Sequence, residues 1–350
     1  MANAAVELNR LLKARAPKPA RLRRVSPAEL VIRRRRNGKG FTYVGADGRA
    51  VREPATLRRL KSLAVPPAYE EVLYATDPRA HLQAVGRDAA GRLQYRYHPE
   101  WEKVRESRKA KRLLALVEAL PRIRRCVSKH LTSDAPSREF TLAAIIHLVA
   151  RSAIRPGSEA YLKAHGTRGA ATLLKSNVTA RGDKIVLSFT GKGSLAVERT
   201  IRCKQLAKAI AVLQQLPGKR LFQYRDAKGE LRNVRRRDVN EFLYATAGVR
   251  ISLKDFRTLL ASTYVLEKLA HIPPADSERK RRKQIKEAVT AAANELHNTP
   301  TVLRRSYVHD TVFAAFENGA LKRVSPKLKQ CRSESGREKI LAQIVASAVH

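Results

Sequence analysis

The hydrophobic pattern of this chain changes at about residue 101, and that change most limits the folds open to it. Before this point, short apolar runs alternate with polar residues and are separated by turn sequences such as Gly45–Gly48, which is typical of β-hairpins. One hairpin is predicted around that turn, from residues 41–44 and 49–51, and a second over residues 81–98. Together with a short helix near residues 54–62, these hairpins predict a small β-rich domain.

After residue 101 the apolar residues recur with the helical period of 3.6. Ser137 is a candidate N-cap for a helix whose apolar stripe runs from Phe140 to Val149. Further helices are expected at about residues 203–216, 236–247, 253–270 and 279–296, and a hairpin near 221–234. Three strands are expected at Thr172–Val178, Lys184–Phe189 and Leu195–Ile201. The predicted fold class is α+β, with a β-rich N-terminal domain and a mainly helical second domain that contains a three-stranded sheet.

The same changes in pattern divide the chain into four parts. These are a basic flexible arm (1–24), the β-rich domain (25–100), the helical domain (101–318) and a basic, weakly patterned tail (319–350). A length of 350 residues agrees with two folded domains.

The charge of the chain restricts its partners. It has 71 Lys and Arg against 31 Asp and Glu, a net charge of +40. So positive a surface repels itself, and a polyanion such as nucleic acid, which releases counterions on binding, is the expected partner. An anionic membrane is the alternative, but no apolar run approaches the roughly 20 residues that span a bilayer. The chain also does not begin like a signal peptide, so we expect a cytoplasmic, nucleoid-associated protein with no membrane partner.

The cysteines argue against two common kinds of site. Cys126, Cys203 and Cys331 are far apart, and none belongs to a CxxC or CxxH motif. Neither a disulfide framework nor a zinc site is therefore expected. A reducing, cytoplasmic environment fits this pattern.

Five side chains of the helical domain have the chemistry needed to break and rejoin a phosphodiester bond. Such a reaction needs a nucleophile, cations on the nonbridging oxygens and a proton donor for the leaving alkoxide. Arginine suits the oxygens because its planar fork presents several donors, and lysine suits proton donation because its pKa falls readily in a cationic site. Such groups occur in residues 154–161, 190–194, 254–258 and 297–308, and the resemblance to a known family implies that the candidates among them are Arg155, Lys192, Arg257, Asn298 and Tyr307.

The local sequence supports several of these candidates. Arg155 follows a predicted helix, and Pro156 directly after it turns the backbone away from helical geometry. Lys192 lies between two glycines at the tip of a predicted turn, where a flexible backbone lets it reach into a groove. Arg257 lies inside a helix that opens with a capping-box sequence. Tyr307 follows a helix-start signal, a cap residue and then proline, and is expected in a short helix.

The order of these residues resembles the type IB DNA topoisomerases of the compact poxvirus and bacterial branch. In that family an arginine, a hairpin lysine, a helical arginine, a histidine or asparagine, and a tyrosine nine residues later follow in this order. The stretches Gly91–Pro99 and Thr172–Val178 are similar to two further signatures of the branch. The resemblance runs from about residue 30 to residue 318. It implies a C-shaped clamp in which a β-rich domain and a helical catalytic domain close around duplex DNA.

The resemblance implies a role for each candidate. Tyr307 is the nucleophile that joins the 3′-phosphate of one strand and releases a 5′-hydroxyl. Lys192 is the general acid for that hydroxyl, and Arg155 assists it, while Arg257 and Asn298 bind the nonbridging oxygens. The free strand then swivels, which removes positive or negative supercoils before the hydroxyl attacks back. The scheme requires no cofactor, metal ion or ATP, and a monomer is sufficient.

Asn298 departs from the viral members of the family, which carry histidine at this position. An amide still donates a hydrogen bond, but it cannot carry a positive charge. His297 is adjacent, yet the spacing to Tyr307 favours Asn298 as the equivalent residue.

Three tyrosines are candidates for DNA contact. Tyr95 and Tyr97 lie on one face of a predicted strand, which either contacts DNA or packs into the core of the β-rich domain. Tyr161 follows Arg155 closely and is expected to contact DNA near the active site. His147, within an apolar stripe, is expected to be a structural residue and not a ligand.

Two other functions fit part of the pattern. Tyrosine recombinases share the chemistry, but they usually place a histidine three residues before the second arginine, where this chain has Lys254. The interval from Arg257 to Tyr307 is also long for a recombinase. A non-catalytic architectural DNA-binding protein needs only the charge and gives no reason to keep the five candidates. A topoisomerase is therefore the favoured function.

Overall fold

The computed structural model describes residues 21–38, 40–133 and 135–347. The chain forms two compact units that divide between Arg108 and Lys109. Of the predicted basic arm, residues 1–20 lie outside the described residues. The end of that arm belongs to the N-terminal unit, because the Arg23 amide donates to the carbonyl of Arg79 (2.9 Å).

The N-terminal unit is built on five antiparallel strands in the order β2-β1-β3-β4-β5. The strands are β1 (Ile32–Asn37), β2 (Gly40–Val44), β3 (Glu70–Tyr74), β4 (Leu82–Arg87) and β5 (Leu93–Tyr97), and helix α1 (Pro54–Ser62) connects β2 to β3. The predicted β-rich character, the hairpin over residues 81–98 and the helix near residues 54–62 are confirmed.

The first predicted hairpin forms only in part, because two main-chain hydrogen bonds close it, from the Gly45 amide to the Arg49 carbonyl and from the Val51 amide to the Tyr43 carbonyl (both 2.8 Å), but the full-length partner of its first strand is an earlier strand. β2 pairs with β1, whereas residues 49–51 contribute a single bridge, between Ala50 and Val44. The arginine-rich segment before the hairpin is thus itself a strand. A strand can hold these arginines because the side chains of Arg33 and Arg35 are exposed to solvent. Arg34, on the other face, donates hydrogen bonds to loop carbonyls at 2.6–3.0 Å.

The C-terminal unit contains most of the helices. They are α2 (Trp101–His130), which crosses the boundary between the units, α3 (Arg138–Ser152), α4 (Glu159–His165), α5 (Lys204–Gln215), α6 (Arg236–Ala247), α7 (Leu253–Ala270), α8 (Glu278–Glu295), α9 (Pro300–Ser306), α10 (Asp310–Glu317), α11 (Leu321–Gln330) and α12 (Glu334–Ala346). The predicted cap of α3 is confirmed, since Ser137 Oγ accepts a hydrogen bond from the Phe140 amide (3.1 Å). None of the helices in the described ranges combines the length and the apolar character that crossing a membrane requires.

A three-stranded antiparallel sheet interrupts the helices. Its strands are β6 (Val178–Arg181), β7 (Lys184–Thr190) and β8 (Ala196–Arg202), and a small hairpin of β9 (Gln223–Arg225) and β10 (Leu231–Asn233) follows α5. The prediction of a strand at Thr172–Val178 is wrong, because most of this stretch forms short 3-10 turns. The Asn177 side chain accepts a hydrogen bond from the Leu174 amide (3.0 Å), which favours a turn over a strand.

The segment after residue 318 differs most from the sequence prediction. The expected basic tail is instead folded into α11 and α12, whose apolar side chains join the main core. Leu321, Val324 and Leu328 have the spacing of a helical apolar stripe. Intervening lysines and arginines, together with Pro326, hide that stripe in the sequence.

His147 on α3 makes the C-terminal unit sensitive to acid. Burial lowers its pKa from 6.5 to about 4, and the positive charge of Arg151 acts in the same direction. Its Nε2 lies 3.7 Å from Cys203 Sγ, and among the described residues its Nδ1 has no hydrogen-bond partner. A neutral imidazole is therefore the form that the fold accommodates.

We expect stability to fall as the pH drops from 6.5 to 4. In that range the unfolded chain takes up a proton on this histidine and the folded chain does not. The free energy of unfolding therefore falls by about 3 kcal/mol. The effect is absent above pH 6.5 and complete below pH 4. Urea unfolding across this range should show a flatter pH dependence for His147→Gln than for the wild type. The same pH dependence in His147→Gln as in the wild type would show that His147 is not the cause of the loss of stability.

Candidate active site

Four of the five predicted side chains line one pocket of about 470 Å³ in the C-terminal unit. They are Arg155, Lys192, Arg257 and Tyr307. The pocket has six basic side chains, the other three being Arg168, Arg236 and Lys254, and none of the described residues that line it is acidic. Because cations form strong hydrogen bonds with phosphate oxygens and no carboxylate opposes them, such a pocket suits a phosphate group.

Arg257 is a charged side chain buried on α7, only 2% exposed. Among the described residues, neither its Nε nor its Nη2 has a hydrogen-bond partner. Its guanidinium carbon lies 4.9 Å from the centre of the Tyr307 ring. Burial lowers the pKa of Arg257, yet a guanidinium stays protonated at neutral pH. A buried cation whose N–H groups lack acceptors is unfavourable until an anion pairs with it and accepts those hydrogen bonds. The site is thus arranged to receive an anionic group beside Tyr307.

Tyr307 lies directly after α9, one residue beyond the short helix in which it was expected. That helix begins at the predicted cap, where the Thr299 side chain accepts a main-chain hydrogen bond. The carbonyl of Tyr307 accepts a hydrogen bond from Ser262 Oγ (3.1 Å), and the same hydroxyl accepts one from the His309 amide (3.3 Å). Since Ser262 lies on α7, the backbone of Tyr307 and the guanidinium of Arg257 are held by one helix.

The charges around Tyr307 make its phenol more acidic. Burial alone would raise its pKa, but the positive charges of Arg257, Arg155 and Lys254 outweigh burial and hold the pKa below its ordinary value of 10. Lys254 Nζ lies 5.9 Å from the centre of the ring. A lower pKa raises the fraction of phenolate near neutral pH, which activates the phenol as a nucleophile.

The loop that carries Arg155 is fixed through its main chain. Ala153, the residue after α3, adopts the left-handed conformation (φ 53°). The carbonyls of Arg155 and Pro156 then accept hydrogen bonds from the 3-10 turn at residues 170–172 (2.8 and 2.9 Å). The approach is so close that a Cβ at Gly169 would clash with the carbonyl oxygen of Arg155. The bend that Pro156 introduces is therefore held in one conformation.

Asn298 contacts Arg155 and does not line the pocket. Arg155 Nη2 donates to Asn298 Oδ1 (2.6 Å), and Asn298 Nδ2 donates to the carbonyl of Leu296 (3.1 Å). Each end of the amide thus makes one hydrogen bond, and because an amide nitrogen has two N–H donors, these bonds are compatible with the expected contact to a nonbridging oxygen. The adjacent His297 has φ 47°, and its Nε2 lies 3.0 Å from the carbonyl of Glu198 on β8. The amide therefore orients Arg155, and the imidazole contacts the sheet.

Lys192 lies at the exposed tip between β7 and β8, as predicted. The turn is closed by a hydrogen bond from the Gly191 amide to the Leu195 carbonyl (2.8 Å), and Gly193 supplies a positive φ of 77°. Lys192 Nζ lies 5.8 Å from the centre of the Tyr161 ring. Within the described chain it forms no salt bridge, so its ammonium is available to a substrate.

The three tyrosines considered for DNA contact are all exposed. Tyr161, which is 50% exposed, lines the active-site pocket. Tyr95 and Tyr97 belong to the N-terminal unit and are 44% and 40% exposed. Their rings stack at 6.2 Å, and Tyr97 stacks in turn on Trp101 at 6.2 Å. This face is an exposed aromatic surface and does not pack into the core.

Three basic residues of the pocket were not among the predicted site residues. The sequence could have predicted a place for Lys254 in the site, because it lies three residues before Arg257 and so shares its helix face. Arg168 and Arg236 had none, since they reach the pocket from a loop and from the start of α6 through tertiary folding.

Two family models match this chain. The model of the eukaryotic DNA topoisomerase I catalytic core matches residues 98–335, and the model of the bacterial DNA topoisomerase IB N-terminal domain matches residues 40–88. Together they account for both the helical unit and much of the β-rich unit.

Individual proteins are similar over most of the chain. DNA topoisomerase 1B of Acanthamoeba polyphaga mimivirus is 28% identical over 294 residues, which cover 82% of this chain and 88% of the relative. DNA topoisomerase 1B of vaccinia virus strain Copenhagen and DNA topoisomerase I of monkeypox virus are each 24% identical over 230 residues, or 65% of this chain and 70% of each relative. Since the catalytic-core model alone covers well over half of the chain, this protein belongs to the type IB DNA topoisomerase family of enzymes.

Proposed function

We propose that this protein relaxes positive and negative supercoils by cutting one DNA strand through a 3′-phosphotyrosyl intermediate at Tyr307, without ATP and without a metal ion. The observation that carries this proposal is the Tyr307 phenol beside the buried guanidinium of Arg257, whose Nε and Nη2 have no partner among the described residues. A DNA phosphate at this point supplies the missing acceptors and lies next to the nucleophile.

In the proposed cleavage step, the phenol proton passes to water and the Tyr307 oxygen attacks phosphorus. The bond from phosphorus to the 5′ oxygen breaks, and Lys192 donates the proton that converts this oxygen to a hydroxyl. The new phosphotyrosine keeps the energy of the phosphodiester bond. The 5′-hydroxyl therefore attacks back and expels Tyr307 with no need of ATP.

Two guanidinium groups are proposed to stabilise the charge that gathers on the nonbridging oxygens during attack. Arg257 is fixed by its burial on α7. Arg155 is fixed by its loop and by its hydrogen bond to Asn298 Oδ1 (2.6 Å). We propose that Asn298 orients Arg155 through this bond and also binds a nonbridging oxygen through its second N–H.

The proposed substrate is duplex DNA, bound by a monomer. A net charge of +40 supports a long track of phosphate contacts. Tyr161 is proposed to contact DNA beside Lys192, and the stacked Tyr95 and Tyr97 to contact it from the N-terminal unit. We place this activity on nucleoid DNA in the cytoplasm.

Relaxation in metal-free buffer tests the proposal. Purified protein should relax plasmids of either supercoil sign with EDTA present and ATP absent, as seen on topoisomer gels. Adducts trapped with denaturant should map to the peptide that contains Tyr307. DNA binding with a steep salt dependence but no adduct would instead indicate an architectural protein. Strand exchange between paired sites without relaxation would indicate a recombinase.

A further inference from the structure

Arg199 on β8 joins three segments of the C-terminal unit. Its Nη1 donates to the carbonyl of Glu295 (2.6 Å) and to the carboxylate of the same residue (2.7 Å), and its Nε donates to the carbonyl of Ser152 (3.3 Å). The side chain is only 15% exposed. It is therefore a cross-link inside the fold and not a solvated surface charge.

Each of the three segments leads directly to a proposed catalytic or orienting group. Ser152 is the last residue of α3, three residues before Arg155. Glu295 is the last residue of α8, three residues before Asn298. β8 is one arm of the hairpin that carries Lys192 at its tip. The Arg199 guanidinium thus links the three segments from which Arg155, Asn298 and Lys192 extend.

The C-terminal ends of α3 and α8 explain why a positively charged side chain is favourable at position 199. Carbonyls in the last turn of a helix lack intrahelical partners, and that end carries partial negative charge. The ends of α3 and α8 both meet Arg199. Each helix then continues into a residue with positive φ, Ala153 (53°) and His297 (47°), which non-glycine residues adopt only where the surroundings enforce it. Arg199 binds carbonyls next to both of these turns.

A second contact shows that the fold does not depend on Arg199 alone. His297 Nε2 lies 3.0 Å from the carbonyl of Glu198, so the loop after α8 remains attached to β8 without the arginine. What the arginine adds is the link to the end of α3. Its removal should therefore loosen the spacing between Arg155 and the other groups without unfolding the unit.

We propose that Arg199 is a positioning residue for strand cleavage, which sets the placement of Lys192, Arg155 and Asn298 relative to one another without contacting DNA. This inference rests on the proposed function, because it assigns those side chains to the cleavage of DNA. It predicts a defect in rate and not in DNA affinity.

Two substitutions and a matched control test this role. Arg199→Met keeps the length of the side chain and removes its donors, while Arg199→Lys keeps a charge. The control is Arg202→Met on the same strand, whose side chain is 72% exposed and pairs with Asp183 at the surface (3.3 Å). For each protein, single-turnover formation of the adduct on a short DNA duplex is measured beside DNA affinity and thermal unfolding.

We expect Arg199→Met to form the adduct about 10- to 100-fold more slowly than the wild type. Its DNA affinity should stay within about twofold, as is usual for a substitution away from the ligand. Arg199→Lys should recover part of the rate, and Arg202→Met should match the wild type. A substrate with sulfur as the 5′ bridging atom should also restore part of the rate, because the thiolate leaves without a proton from Lys192.

The outcomes separate this role from a merely structural one. If Arg199 had a merely structural role, Arg199→Met would lower the unfolding temperature and the amount of active protein. The active fraction would still form the adduct with the rate constant of the wild type. Such a result, or a wild-type rate for Arg199→Met, would overturn the positioning role. If the wild type itself formed no adduct at Tyr307, the proposed function would fail and the positioning role with it, so the two failures are distinguishable.

Discussion

Replacing Tyr307 with phenylalanine is expected to abolish both relaxation and the covalent adduct, because it removes the one oxygen proposed to attack phosphorus. Loss of an essential nucleophile lowers a rate by more than about 10⁴-fold, which puts residual activity below detection. The aromatic ring remains beside Arg257, 4.9 Å from its guanidinium carbon, so the variant should fold and bind DNA. Topoisomer gels, adduct trapping and a DNA-binding titration measure the three properties.

Tyr264→Phe is the matched control for this prediction. Tyr264 lies on α7, like Arg257, and has Lys268 Nζ 5.5 Å from its ring centre, but it does not line the active-site pocket. This variant should relax plasmids at the wild-type rate. Equal relaxation by Tyr307→Phe and Tyr264→Phe would mean that the nucleophile is another residue.

Lys192→Ala is expected to slow strand cleavage by about 10²- to 10⁴-fold, the usual contribution of a general acid. The side chain lies at an exposed turn, so its removal leaves the core unchanged. A substrate with sulfur as the 5′ bridging atom should restore the rate, because the thiolate is a good leaving group without a proton. Single-turnover cleavage of the oxygen and sulfur substrates measures this difference.

Lys184→Ala provides the control, since Lys184 is an exposed lysine at the opposite end of β7. It should cleave both substrates as the wild type does. A Lys192→Ala defect that sulfur leaves unchanged would assign the ammonium to phosphate binding. Normal cleavage of the oxygen substrate would exclude Lys192 as the general acid.

The features of the fold that depend on neighbouring residues are predictable from the sequence. The cap at Ser137, the helix start at Thr299 and the hairpin around Lys192 are local signals, and all three occur in the structure. The failures are also local in origin. The side chain of Asn177 turns an apparent strand into 3-10 turns, and basic residues hide the apolar stripe of α11.

The contacts of the site are not local, and the sequence does not predict them. Charged side chains are almost never fully buried unless paired, so no pattern indicates that Arg257 is 2% exposed. The hydrogen bond from Arg155 to Asn298 joins residues that are far apart in the chain. Residue type indicates the chemistry, and only the packing shows which group each side chain meets.

The hydroxyl of Ser262 has a mechanical consequence for the covalent state. It holds the Tyr307 carbonyl at 3.1 Å, so the residue proposed to be tethered to DNA is anchored to the helix that carries Arg257. In the proposed covalent state, drag on the rotating DNA would pull at this hydrogen bond. Because Ser262 and Arg257 lie on the same helix, we expect such a pull to displace them together, so that Tyr307 stays beside Arg257 for rejoining.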